Sequence, residues 1–166
     1  MREGLLSVGD DVRITVGQIE DIARCLDIAK ELGEYFTSSA LLAMARDLAG
    51  GRFLVAKDST GCLGFMGLTD KNPGVSEIAW MAVQEDRWRQ GIGSAMMEAV
   101  CSDSKRRGVE LLVAKTLAPT VDYAPYQATR RFYEKMRFYL VDVIDPYPGW
   151  DPGNPCAIYV KPLCCE

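Results

Sequence analysis

From Asp11 to Val16 apolar and polar positions alternate with the period of a half-buried strand. Ile19, Ile22, Leu26 and Ala29 then recur at helical spacing, and Gly33 stops that helix. Ser38 and Ser39 stand where an N-cap is needed for a second helix carrying Leu41, Ala45 and Leu48, which Gly50-Gly51 closes. Phe53 to Ala56 reads as a strand. Asp58-Ser59-Thr60-Gly61 is a turn, and Cys62 to Leu68 returns as the other arm of a hairpin. Lys71-Asn72-Pro73-Gly74 turns the chain again into a strand from Val75 to Val83. Helical spacing resumes at Ile92, Met96 and Val100 and ends near Arg107, with Gly108 as its stop. Leu111 to Leu117 is a strand, followed by a loop holding Pro119 and Pro125 and a helix on which Thr129, Phe132, Tyr133 and Met136 share a face. Phe138 to Ile144 and Ala157 to Val160 are the last strands, separated by the proline-rich loop from Asp145 to Pro155.

The order β-α-α-β-β-β-α-β-α-β-β joins antiparallel hairpins to crossover units. It predicts an α/β (α+β) chain with a mixed central sheet of six to seven strands and helices on both faces. Residues 1–166 are read as a single domain, without repeat, linker or low-complexity segment.

Composition narrows the function. Hydrophobic residues make up 48% of the chain and charged residues 25%, the balance of a soluble globular protein. No apolar run reaches membrane-spanning length, and Met1 to Leu6 lacks the apolar core of a secretory signal, so a cytoplasmic location is expected. The net charge of −4 argues against nucleic acid as a partner and weakly favours cationic substrates, while leaving room for a local anion site. Six cysteines (Cys25, Cys62, Cys101, Cys156, Cys164, Cys165) are scattered and read as buried free thiols rather than a disulfide framework. With no histidine and no C-x-x-C, no metal site is expected. The lack of histidine also removes Ser-His-Asp and Cys-His catalysis and leaves Asp, Glu, Tyr, Cys or Lys as acid or base.

The segment with most chemistry runs from Met81 through Arg87-Trp88-Arg89-Gln90-Gly91-Ile92-Gly93-Ser94-Ala95. A strand passes through a short polar loop into a helix start punctuated by glycines. Gly91 and Gly93 allow close backbone approach, the first helical N–H groups have no partner, and Arg87 and Arg89 add positive charge. A diphosphate would fit there; so would the blander reading of a tight turn with solvated arginines. The dinucleotide fingerprint G-x-G-x-x-G fails, because Met96 stands at its third glycine.

Glu77 to Val83 followed by Arg89 to Met97 resembles the signature of the GNAT superfamily of N-acetyltransferases. A second segment, Ala128 to Phe138 with its Phe132-Tyr133-Glu134-Lys135 core, is similar to that superfamily's helix-to-strand motif. The resemblance spans Val12 to Leu163 and implies the GNAT fold, acetyl-coenzyme A as acyl donor, and transfer to a primary amine of a small molecule or peptide. It also implies Tyr133 as the acid that protonates the leaving thiolate and Glu77, fourteen positions before Gly91, as the base. Ala79 and Met81, taken as same-face neighbours of Glu77, would raise its pKa. Cofactor contacts are implied at the backbone of Ala82 and Val83 and along Arg89, Gln90, Gly91, Ile92, Gly93 and Ser94. Arg130 and Arg131, or Lys105 to Arg107, are set against a solvated basic face as partners of a 3′-phosphate. Three positions depart from the pattern: Trp88 replaces a Gln or Arg, Arg137 a glycine, and Tyr126 an asparagine.

The loop from Asp145 to Pro155 offers Tyr147, Trp150, Asp145 and Asp151 as walls for a cationic amine. The alternative is a rigid cap whose Trp150 packs on the core or on a second subunit of a homodimer. Glu34, Tyr35 and Phe36 are expected on the opposite wall. A catalytically silent acyl-CoA-binding regulatory module of the same fold is the second functional reading.

Overall fold

The structure is a computed structural model describing residues 6–8 and 11–163; Cys164 and Cys165 and residues 1–5 lie outside this range. Its strands are β1 (Leu6–Val8), β2 (Val12–Val16), β3 (Arg52–Asp58), β4 (Gly61–Asn72), β5 (Val75–Val83), β6 (Leu111–Leu117), β7 (Tyr139–Ile144) and β8 (Cys156–Pro162). They form one eight-stranded sheet in the order β1-β2-β3-β4-β5-β6-β8-β7. Every neighbouring pair is antiparallel except β5 with β6. The strand beyond the expected six to seven is β1, whose three residues are too few to show alternation.

The helices are α1 (Ile22–Glu31), α2 (Ser38–Gly50), α3 (Ile92–Arg106) and α4 (Ala124–Lys135). On one face, Cys25, Ile28, Met44 and Leu48 of α1 and α2 are buried in one cluster with Phe53, Val55 and Phe65. On the other, Met96 and Val100 of α3 and Tyr133 of α4 are buried with Leu54, Met66, Ile78 and Leu112. Helices thus cover both faces, each with an apolar stripe at 3.6-residue spacing. Two expected boundaries move. The N-cap of α2 is Thr37, whose hydroxyl accepts the Ala40 N–H at 3.2 Å, in place of Ser38 or Ser39. Pro125 lies in the first turn of α4, where its missing N–H costs nothing.

A β-bulge shapes the middle of the sheet. The β4–β5 register passes from Gly67↔Trp80 to Leu68↔Ile78 and leaves Ala79 unmatched. Such an extra residue bends its strand and reverses the alternation beyond it. Two consequences follow. Parallel pairing of β5 with β6 stops at Ile78↔Ala114. From there β6 follows β8 up to Leu117↔Cys156, whereas β5 follows β4 up to Val83↔Gly64, and a wedge opens between the two parallel strands. Met81 and Val83 then pack with Ile78 on the α3/α4 core, while Trp80 and Ala82 join the α1/α2 core. Glu77, next to Ile78, therefore shares its face with Trp80 and Ala82, not with Met81 as unbroken alternation predicts.

Arg137, at the usual glycine of the second motif, adopts φ 62° in the left-handed region. That geometry accounts for the glycine preference.

Candidate active site

At the start of α3 the N-cap is Gly91, with φ 83° and no side-chain capping bond. Ala95 N–H donates to the Gly91 carbonyl at 3.0 Å and closes the first turn. The amides of Ile92, Gly93 and Ser94 consequently have no intrahelical acceptor, and the positive end of the helix dipole lies with them. Arg89, just before, also has positive φ (59°), so the backbone turns sharply between Arg89 and the helix start. A Cβ on Gly93 would sit 3.4 Å from the Phe132 ring, an ordinary contact, so α3 meets α4 at this point.

The polar side chains of this loop hold it in shape. Gln90 Nε2 donates to the Asp86 carbonyl at 3.0 Å, and Arg87 is paired with Asp58 at 3.1 Å, so its charge is already offset. Trp88 donates from its indole N–H to the Val83 carbonyl at 2.7 Å and sets its ring edge-on to Tyr35 at 6.2 Å. The residue that departs from the sequence pattern is thus the brace between the loop and the end of β5. Its signal is non-local, since Tyr35 lies far away in the chain.

The wedge exposes backbone. Gln84 N–H donates to the Leu63 carbonyl at 2.9 Å, which fixes the phase of the β4–β5 ladder. Alternation then turns the amides and carbonyls of Ala82 toward β4 and those of Met81 and Val83 into the wedge. Of the two positions expected to offer backbone, Val83 is turned to the opening with its N–H, its carbonyl being held by Trp88, and Ala82 is turned to β4; Met81 also faces the opening.

Tyr133 points into the α3/α4 core, 5% exposed, stacked on Tyr159 at 6.0 Å and against Phe138 at 5.3 Å. No described residue bonds its hydroxyl. Burial, reinforced by the nearby negative charge of Glu77, pushes the phenol above its ordinary value, so it is protonated at neutral pH. Glu77 is 8% exposed, one residue from the point where the strands part. Its Oε2 accepts from Lys115 Nζ at 2.9 Å and forms an ion pair with Lys71 Nζ at 3.0 Å. Ammonium groups, not the expected apolar side chains of Ala79 and Met81, are its close neighbours. Neither lysine was a sequence candidate. Lys115 lies 38 residues away, and only the β5–β6 pairing brings it there.

Arg130 is 7% exposed, and its Nη1 donates to the Leu117 carbonyl at 2.8 Å, so it clamps α4 to the end of β6 rather than joining a solvated basic face. Arg131 remains exposed. Tyr126 bonds the Tyr35 carbonyl at 2.9 Å and Tyr123 the Glu34 carbonyl at 3.1 Å. The α1–α2 connection is thereby tied to the start of α4. From the proline-rich loop, Tyr147 lies over Lys115 Nζ at 5.3 Å and against Trp150 at 5.3 Å, while Asp145 and Asp151 are exposed.

Parted parallel strands beside an uncapped helix start define a fold that can hold an extended ligand with an anionic end. The family model for the acetyltransferase (GNAT) domain matches residues 49–139, more than half of the chain, and the protein belongs to that family. No curated protein matches it in sequence. Among solved structures, it is similar to a GNAT-family protein from Desulfovibrio desulfuricans at 23% identity and TM-score 0.76, covering 91% of this chain and 99% of that one. It is similar to the ribosomal-protein-S18-alanine N-acetyltransferase from Escherichia coli at 18% identity and TM-score 0.75, covering 93% and 96%. An aminoglycoside 6′-N-acetyltransferase complexed with coenzyme A follows at 17% identity and TM-score 0.73, covering 92% and 98%. At these identities the likeness establishes the fold. The six to seven strands expected in a mixed sheet covered by helices on both faces are present, with β1 added.

Proposed function

We propose that this protein transfers an acetyl group from acetyl-coenzyme A directly to a primary amine of a small molecule or peptide. The observation that carries the reading is the helix start at Gly91, without a side-chain cap and entered through two left-handed residues, following the strand that parts from β6. Free amides at a helix start suit a diphosphate, and a wedge with unpaired backbone suits an amide-bearing arm. The residues present fit both ends of such a molecule. Coenzyme A is bound in the aminoglycoside acetyltransferase of the same fold.

In this reading Gly91, Ile92, Gly93 and Ser94 hold the diphosphate through their N–H groups. Arg89 and Gln90 shape that turn. Met81 and the N–H of Val83, whose carbonyl Trp88 already occupies, align the arm, with Ala82 fixing the strand behind them. The donor supplies an activated thioester; the protein must manage two protons. A lysine-like amine, with a pKa of about 10.4, needs roughly 4 kcal/mol to be neutral near pH 7.4. Glu77, directly or through water, accepts that proton. Tyr133, protonated and with its hydroxyl free, donates one to the leaving thiolate. The buried thiols of Cys25, Cys62 and Cys156 suit a reducing cytoplasmic setting.

The direct test is thermal unfolding with ligands. Acetyl-CoA raises the melting temperature and NAD does not; an equal response to both overturns the assignment.

A further inference from the structure

We infer that the amine acceptor carries a carboxylate, as an amino acid does, and that Lys71 with Lys115 receives it. This rests on the acyl-transfer reading above and names its substrate class. The Glu77 carboxylate is matched by the ammonium groups of both Lys115 and Lys71, at 2.9 and 3.0 Å, which leaves one positive charge in excess. Lys115 alone would satisfy the buried carboxylate: its side chain is 19% exposed and Tyr147 lies over it. The side chain of Lys71, at the tip of the β4–β5 hairpin, is 43% exposed and turns spare N–H donors outward. Asp70 is paired with Arg107 at 2.8 Å, and Asp145 and Asp151 make no ion pair with either lysine. Asp47, held by the neutral Trp80 indole at 2.7 Å, keeps its charge and makes no ion pair with either lysine.

The cluster adjoins the vertex of the wedge, on the sheet face opposite α3 and α4. An acceptor arriving from that face meets two ammonium groups set on a single carboxylate. A carboxylate neutralises the excess. A polyamine, with no carboxylate to offer, is repelled. Trp80 and Phe36, with rings 6.4 Å apart on this face, offer an apolar wall for the side chain of an amino acid.

The test uses the full chain, acetyl-CoA and thiol release, with leucine, methionine and phenylalanine each set against the amine that lacks its carboxylate, and spermidine alongside. A charge-assisted contact of this kind is expected to favour the best amino acid over its decarboxylated partner by about tenfold or more in kcat/KM. In Lys71→Ala that ratio falls toward one through a higher KM for the acid, and in Lys71→Glu it inverts. A wild-type preference for the decarboxylated amines or for spermidine overturns the inference but leaves acyl transfer standing. So does an unchanged ratio in Lys71→Ala. Thiol release that no amine stimulates, while acetyl-CoA still raises the melting temperature, removes the acyl-transfer reading and this inference with it.

Discussion

Replacing Tyr133 by phenylalanine removes one oxygen and leaves the ring that packs on Phe138 and Tyr159. The hydroxyl bonds no described residue, so its loss deprives no buried group of a partner. The expected stability change is within about 1 kcal/mol, or roughly 2–4 °C in melting temperature for a domain of this size. The rate is a different matter. If the phenol protonates the departing thiolate, the variant loses the share assigned to a positioned acid, on the order of 10²–10⁴ in kcat. Burial and the charge of Glu77 both hold the phenol above its ordinary value of 10.0. The phenol therefore stays protonated up to about pH 10, and Tyr133 is expected to add no alkaline limb below that. Three measurements on one preparation decide the matter: kcat from thiol release, acetyl-CoA affinity by titration, and the melting curve. The expected pattern is a fall in kcat with affinity and melting temperature nearly constant. An unchanged kcat, or a loss traced wholly to weaker cofactor binding, refutes the assignment.

Arg137→Gly relieves a left-handed residue at φ 62° that is exposed and makes no ion pair among the described residues, so the variant is expected to gain about 1 kcal/mol in chemical denaturation; a loss would contradict the backbone argument. Asp103, 4% exposed on α3, is bound by Arg52 of β3 through both oxygens at 2.6 and 2.7 Å. Burial works to raise its pKa, but Arg52 and then Arg106 outweigh this and hold it below the usual aspartate value. A lowered folded pKa contributes stability above the unfolded value of about 3.9 that is lost as pH falls through the folded one. Asp103→Asn is expected to cost about 2–3 kcal/mol at pH 7, less than a fully buried pair because Arg52 is partly exposed, and the difference from the wild type is expected to shrink as pH falls below the unfolded value. Parallel curves at every pH would exclude the ion pair as the cause.

Much of the scaffold was legible from alternation and helical spacing. Strong periodicity in Val75–Val83, Leu111–Leu117 and around Met96 located the elements that frame the wedge. Gly91 and Gly93 marked the helix start, because a helix lacking a side-chain cap there leaves its amides free. What escaped reading was non-local. The bulge at Ala79 depends on the spacing of β4 opposite it, and it reversed the face on which Met81 lies. It also moved the wedge-facing backbone from Ala82 to Met81. Trp88 looked like a lost polar contact, yet its indole finds the Val83 carbonyl through the fold of its own loop. Arg130 read as a surface charge beside Arg131, and only the end of β6 under α4 buries it. Lys71 and Lys115 carried no motif at all; sheet pairing makes them neighbours of Glu77.

The central claim is that the amides between Gly91 and Ser94 receive the diphosphate of acetyl-CoA. Amide chemical shifts recorded during a titration test it most directly. The account predicts the largest changes at Gly91, Ile92, Gly93 and Ser94, with a second group at Met81 and Val83 along the wedge. Saturable binding that leaves all of these in place and moves resonances elsewhere would contradict it.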